Sequence, residues 1–390
     1  MTGRGTVLVF GTMGQTPFAG IAWQVLQYLE GFRRLGFDVY YVEDTDTWPF
    51  DPVRNAVCDD CRYAVGFIDG LMEEFGFADR WVYRSGATDR TYGLSDARFA
   101  AILERADALV NLTGATILRE EHRRVPVRIY LETDPVLPQI EVAQGRRFTI
   151  DVLAAHTHHF TFGENLGAPD CTVPLSDFKY FATRQPVVVE WWSPADRRPA
   201  APGDSFTTIG NWVQSGKDTE WNGEIYRWSK HLEFLKFIDL PSLTAQRFEL
   251  ALSQIDADAI RLLEAHGWHV VDAVLLSCDV DRYRDYIRGS LGELTVAKDQ
   301  NIRLRSGWFS DRSACYLAAG RPVITQDTAF GNILPVGEGL FAFSDMDGIL
   351  DALERIGADY QRQSAKAREI ADQYFKAERV VGDMARVVGL

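Results

Sequence analysis

The 390-residue chain has no apolar run near the roughly 18 residues that a membrane-spanning helix requires. Its first residues, Met1–Gly5, lead straight into the strand-like Val7-Leu8-Val9-Phe10. They lack the apolar stretch and small-residue cleavage site of a signal peptide, so the expected location is the cytoplasm. Cysteine is scarce: five residues, at 58, 61, 171, 278 and 315. A sparse, odd count speaks against a disulfide framework and for a reducing compartment. Cys58-Asp59-Asp60-Cys61 is a lone C-x-x-C without a second ligand pair, and its acidic neighbours oppose thiolate formation. Basic charge is short as well. Lys and Arg number 41 against 55 Asp and Glu, a net charge of −14. That balance opposes nucleic acid as the main partner, because polyanion binders carry a basic surplus. A small anion needs only a few local cations or a helix N-terminus. The dinucleotide fingerprint G-x-G-x-x-G is missing too, since the glycines near the first strand stand at 11, 14 and 20. A nicotinamide oxidoreductase is thereby disfavoured.

Apolar residues make up 46% of the chain, enough for two cores at this length. Thr6–Phe10 reads as a buried strand, and Ile21, Val25, Leu26, Leu29 and Phe32 have helical spacing up to Gly36. Val39–Val42 is a second strand, with others at 108–112, 127–131 and 158–162. This rhythm predicts an α/β unit with a mainly parallel sheet. Between residues 183 and 203 it breaks at Pro186, Pro194, Pro199 and Pro202, with Asp196-Arg197-Arg198 among them. It restarts with a strand at 206–209, a helix at 259–266 and a strand at 268–271. A helix at 281–287, another at 313–319 and strands at 322–324 and 339–343 follow. The expected division is a first domain over 1–184, a linker over 185–204 and a second domain over 205–370.

Two such domains leave a cleft at the carboxyl ends of their strands, where ligands bind. Candidate residues are those that follow strands. The first is the loop Gly11–Pro17, where Gly11, Thr12 and Gly14 would let backbone amides approach a phosphate; a plain tight turn explains it equally. The second is Ser306–Ser313 before a helix, where Ser310 or Asp311 caps and Arg312 and Ser313 would face an anion. Arg288, Lys298, Arg303 and Arg305 cluster upstream and would stabilise a departing diphosphate. Asp327, Thr328 and Gly331 offer groups for sugar hydroxyls. In the first half, Asp134, His158 and Glu164 are candidate bases for an acceptor hydroxyl. His156 and His158 share a face if both lie in a strand, but no third ligand can be named, so no metal is expected. Trp191, Trp192, Trp212, Trp221 and Trp228 suit either sugar stacking or packing at a hinge.

Ser313-Ala314-Cys315-Tyr316-Leu317-Ala318-Ala319-Gly320-Arg321-Pro322-Val323-Ile324, followed by Gly337-Glu338-Gly339-Leu340-Phe341 and a helix, resembles the C-terminal half of GT-B glycosyltransferases. The likeness is good over about 303–370 and loose over 7–44. It implies two Rossmann-like domains facing each other, with the nucleotide diphosphate at Ser310, Asp311 and Arg312 and the sugar at Asp327, Thr328 and Gly331. It also implies that residues 371–390 form a helix crossing back to the first domain. One departure stands out. Where many retaining members carry two Glu residues, this chain has Gly307 and Cys315. The resulting expectation is metal-independent transfer of a sugar from a nucleotide diphosphate sugar to a small soluble acceptor, with no cofactor, membrane or nucleic acid. The alternatives are a nucleotide-sugar epimerase and a non-enzymatic two-lobed binding protein.

Overall fold

The computed structural model describes residues 4–86, 88, 90–193 and 203–390. Pro194, Pro199, Pro202 and Asp196-Arg197-Arg198 of the expected linker lie outside the described residues.

The main sheet of the first lobe has eight strands: β1 (Thr6–Phe10), β2 (Asp38–Glu43), β3 (Trp81–Ser85), β4 (Arg90–Gly93), β5 (Ala108–Leu112), β6 (Val127–Glu132), β7 (His158–Thr161) and β8 (Tyr180–Ala182). They form one sheet in the order β8-β7-β6-β5-β1-β2-β3-β4. All pairs are parallel except β3 with the edge strand β4. β1 and β5 are buried at every position, as central strands covered on both faces must be.

The second lobe holds β9 (Ser205–Asn211), β10 (Arg247–Ser253), β11 (His269–Asp272), β12 (Gly292–Thr295), β13 (Val323–Gln326) and β14 (Leu340–Phe343). Its order, β11-β10-β9-β12-β13-β14, is wholly parallel and is that of a doubly wound nucleotide-binding sheet. The order of the strands reverses between β9 and β12, and a crevice opens there at the carboxyl edge. The expected architecture of two Rossmann-like lobes is therefore present.

Five helices fix how the lobes meet: α1 (Ala19–Arg34), α2 (Val280–Gly289), α3 (Asp311–Ala318), α4 (Tyr360–Ile370) and α5 (Ala377–Val388). α1 is buried along most of its length because elements of both lobes cover it. Trp23 in α1 donates its indole N–H to Val280 O at 3.1 Å. α5 lies on the other side of α1, where Arg34 pairs with Glu378 at 3.0 Å. Val187 pairs with Lys376 in a parallel bridge, so the two crossings between lobes run side by side. One apolar cluster consequently takes in Val7 and Leu29 from the first lobe with Tyr283, Tyr316 and Val381 from later in the chain.

Candidate functional site

A cavity of about 370 Å³ lies at the reversal point of the second sheet, facing the first lobe. Thr208–Asn211 at the end of β9 and Thr295 at the end of β12 form its floor. Ser310–Arg312 at the start of α3 form one wall, and Thr16 to Ile21 with Asp134 reach in from the first lobe. The turn entering α3 thus opens on the space between the lobes.

The charges around this cavity are unusual in so acidic a chain. Lys298 Nζ lies 2.6 Å from Asp134 Oδ1 across the gap; the lysine side chain is 6% exposed and the aspartate 42%. Lys298 also sits 3.2 Å from the centroid of the Trp228 ring, and Lys217 lies 4.6 Å over the same ring. Lys230 lies 4.8 Å over Trp308, whose indole N–H donates to Thr133 O at 2.9 Å. Burial, then the nearby Arg312 and Lys298, push the Lys230 ammonium down to about 7. The lysines hold the Asp134 carboxyl below its usual range against the opposing effect of burial.

Arg312 is committed elsewhere. Its Nε meets the fully buried Glu293 at 2.6 Å, and its other nitrogens bond Ile209 O and Thr295 Oγ1. This pairing ties α3 to β9 and β12. It neutralises the guanidinium, so Arg312 supplies less free charge than its position in sequence suggests. Ser310 makes no side-chain cap, and its hydroxyl faces Asp311 Oδ1 at 3.4 Å. Asp311 Oδ1 accepts from the Arg312 N–H at 2.8 Å, so one first-turn amide is already satisfied. Burial raises the Asp311 carboxyl. Ser313 is fully buried and does not line the cavity. The positive field therefore comes chiefly from Lys230 and Lys298, which line the cavity, rather than from the α3 turn.

Several expected residues fall elsewhere. The amides of the Gly11–Pro17 loop are taken by the first lobe itself. Met13 N–H bonds Tyr41 Oη at 2.9 Å, while Gly14 and Gln15 N–H bond the two oxygens of Glu43 at 2.7 and 2.6 Å. Side chains at Gly11 or Gly14 would strike Val25 and Tyr41, or Ile68 and Tyr83. Close packing accounts for these glycines, and the buried Glu43 occupies the place expected for a phosphate. Thr12 is half-buried, and its carbonyl accepts from Thr16 N–H. Only the later part of the loop, from Thr16, reaches the cavity.

Arg288 ends α2 and precedes the amino end of β12, on the edge of the sheet away from the cavity, where it pairs with Asp285. His158 opens β7, so it too lies at an amino edge, bonded to Thr157 and packed on Phe181. His156 precedes that strand and bonds Val152 O and Asn111; the two histidines do not share a strand face. Glu164 pairs with Arg184 beside Phe375 and is spent on the crossing between lobes. Asp327 accepts from Ala329 N–H and pairs with Arg305. Thr328 Oγ1 donates to Trp308 O, which places this loop behind Trp308. Gly331 is on the surface.

The structure also accounts for the two missing acids. Gly307 has φ +78°, and a Cβ there would come within 2.4 Å of Asn165 N in the other lobe. No glutamate fits at that position. Cys315 is buried against Gln27 of α1 and out of reach of the cavity.

Lys217 and Lys230 are not among the sequence candidates, and Trp228 is one only for sugar stacking or hinge packing. They flank the short hairpin of Thr219–Trp221 and Glu224–Tyr226, in a stretch without apolar periodicity. The one available signal was three cations or aromatics following a strand in an acidic chain. Asp44, Glu121 and His122 have metal-ligand spacing, but Asp44 already carries Arg84 and Arg119, and the group lies outside the cavity.

Two doubly wound lobes that share a cleft at their carboxyl edges, with a returning C-terminal helix, define the GT-B class of fold. Solved structures of that class match along the whole chain. An alpha-glucosyltransferase in complex with UDP and DNA aligns at 12% identity with a TM-score of 0.57, covering 100% of both chains. Anabaena HepE in complex with UDP and glucose aligns at 10% identity and 0.56, covering 99% of this chain and 100% of that one. AviGT4, a glycosyltransferase of avilamycin A biosynthesis, aligns at 12% and 0.54, covering 98% and 96%. No family model matches the sequence, and no curated protein does. At these identities the likeness establishes the fold.

Proposed function

We propose that this chain is a glycosyltransferase that uses a nucleotide diphosphate sugar and needs no metal ion. The observation that carries the reading is the pair of lysines, Lys230 and Lys298, lining the cavity at the reversal point of the second sheet, with Lys217 over the same Trp228 ring as Lys298. Of the three, only Lys298 faces a carboxylate of the described residues within ion-pair distance, that of Asp134. A leaving diphosphate develops negative charge as the bond to the sugar breaks, and positioned cations lower that barrier. The lysines supply what a divalent ion supplies elsewhere. The acceptor hydroxyl forms the new bond to the anomeric carbon, and the old C–O electron pair leaves with the diphosphate. Asp134 is the acceptor-side carboxylate in the cavity. It takes the hydroxyl proton if the reaction inverts, and the leaving phosphate oxygen takes it if configuration is retained. The UDP complexes of the structural neighbours support UDP as first choice of nucleotide. The net charge of −14 favours a small acceptor over duplex DNA.

The test is thermal unfolding with UDP, GDP, dTDP and ADP, each with and without EDTA. A ligand at a hundred times its Kd adds about 2.7 kcal/mol of stability. One diphosphate should raise the melting temperature equally in both conditions. No shift with any of the four would overturn the reading, and a shift abolished by EDTA would overturn its metal-free form.

A further inference from the structure

Resting on the donor reading above, we propose that Trp228 is a positioning residue that seats Lys298 at the diphosphate, with Lys217 on the same ring, without itself neutralising either. Its ring is 5% exposed, and its backbone N–H is fixed by Asp218 Oδ1 at 2.8 Å. Lys298 Nζ lies 3.2 Å and Lys217 Nζ 4.6 Å from the ring centroid. Trp308 stands in the same relation to Lys230 at 4.8 Å. Two indoles thus hold three ammonium groups, and two of these, Lys230 and Lys298, line the cavity.

The choice of partner has a physical consequence. A carboxylate would hold a lysine more firmly, but it would cancel the charge and compete with an incoming phosphate. An aromatic face attracts the cation through its quadrupole and leaves the formal charge intact. The lysine is then ordered in advance and still available to an anion. Arg312 in the same wall shows the contrast, since Glu293 has fixed it and absorbed its charge. Asp134 does part of this to Lys298, but from the other lobe, so only lobe contact brings it there. The hairpin beyond Trp228 strengthens the seat. Tyr226 and Trp221 pack with Val136, Ile140 and Val173 of the first lobe, and Gln144 Nε2 donates to Glu220 O at 2.6 Å.

The experiment compares binding of UDP, pyrophosphate and uridine to the full chain carrying Trp228→Phe, Trp228→Leu, or singly fluorinated and multiply fluorinated tryptophan at position 228 alone. Fluorination weakens the quadrupole while keeping the ring's shape, so it separates charge seating from packing even if Trp228→Leu unfolds. The expected order of UDP and pyrophosphate affinity is Trp above Phe above Leu, roughly threefold and roughly tenfold weaker. Affinity should also fall with each added fluorine, while uridine binding stays level. UDP affinity unchanged by fluorination, or uridine affinity falling in parallel with it, overturns the proposal while leaving the donor reading intact. A wild-type chain that binds neither UDP nor pyrophosphate removes both.

Discussion

Lys230 carries its charge against its surroundings. Burial costs an ammonium ion its hydration, and Arg312 and Lys298 repel it, so its pKa comes down to about 7 from the 10.4 of a free lysine. A bound diphosphate reverses the second effect by adding opposite charge within reach. The sign follows directly. At pH 8 the free protein holds Lys230 mostly neutral, and the complex holds it charged, so binding must draw a proton from solution. UDP titrated into the protein at pH 8 in buffers of different ionisation enthalpy should show uptake approaching one proton, and Lys230→Met should abolish it. Apparent affinity should fall as pH rises from 7 to 9. Heats independent of the buffer would show that Lys230 does not face the ligand. Sequence reasoning found Asp134 because it ends a strand, Lys298 because it belongs to a basic cluster and Ser310–Arg312 because they open a helix, and all five line the cavity. It missed Lys230 because eighteen residues without apolar periodicity separate it from β9. It misplaced His158 because an apolar run shows that a strand exists but not which of its ends faces the cleft.

At the level of elements, the strands read from sequence include those with unbroken apolar runs, Val7–Phe10 of β1 and Leu340–Phe343 of β14 among them. β12 was passed over because Gly292-Glu293-Leu294-Thr295 puts an acid in its centre. That acid is the fully buried partner of Arg312, a pairing across sequence that no local pattern reveals. β10 was missed for a similar reason, since Glu249 interrupts it and bonds His269 on β11 at 2.8 Å. The contact of α1 with α5 yields a prediction of its own. A Cβ at Gly31 would lie 3.1 Å from Val381 Cγ2 and 3.3 Å from Ala377 Cβ, so the helices touch through a bare backbone. Larger side chains must push α5 outward. Gly31→Val should lower stability by roughly 1–3 kcal/mol despite removing a helix-interior glycine, because overpacking outweighs the gain in propensity. Denaturant unfolding measures it, and a variant as stable as the parent would mean that α5 does not seat against α1 this way.

The whole molecule poses the question of whether two lobes mean two folding units. Separate Rossmann domains joined by a linker would melt separately, since interfaces between domains are commonly small and polar. Here the interface has the character of a core. Trp23, Leu29 and Phe32 of α1 belong to one apolar cluster with Tyr283 and Ile287 of α2, Tyr316 and Leu317 of α3, and Val381 and Met384 of α5. Polar contacts close the other side: Trp308 to Thr133, Asn165 N–H to Ser306 O at 3.0 Å, and Lys298 to Asp134. Unfolding the second lobe alone would strip α1 of its cover and expose that cluster to water. The cost falls on the first lobe as much as on the second, so the two should fail together. Calorimetry should then give one transition, with an enthalpy of about 270 kcal/mol near 60 °C at ~0.7 kcal/mol per residue, and equal calorimetric and van't Hoff values. A ligand bound in the cavity, UDP on the reading proposed above, should move that single transition as a unit, because the cavity is lined by both lobes. Two resolved transitions, with UDP shifting only the one belonging to the second lobe, would show that α1 is a surface helix of one domain and that the shared cluster does not bind the halves.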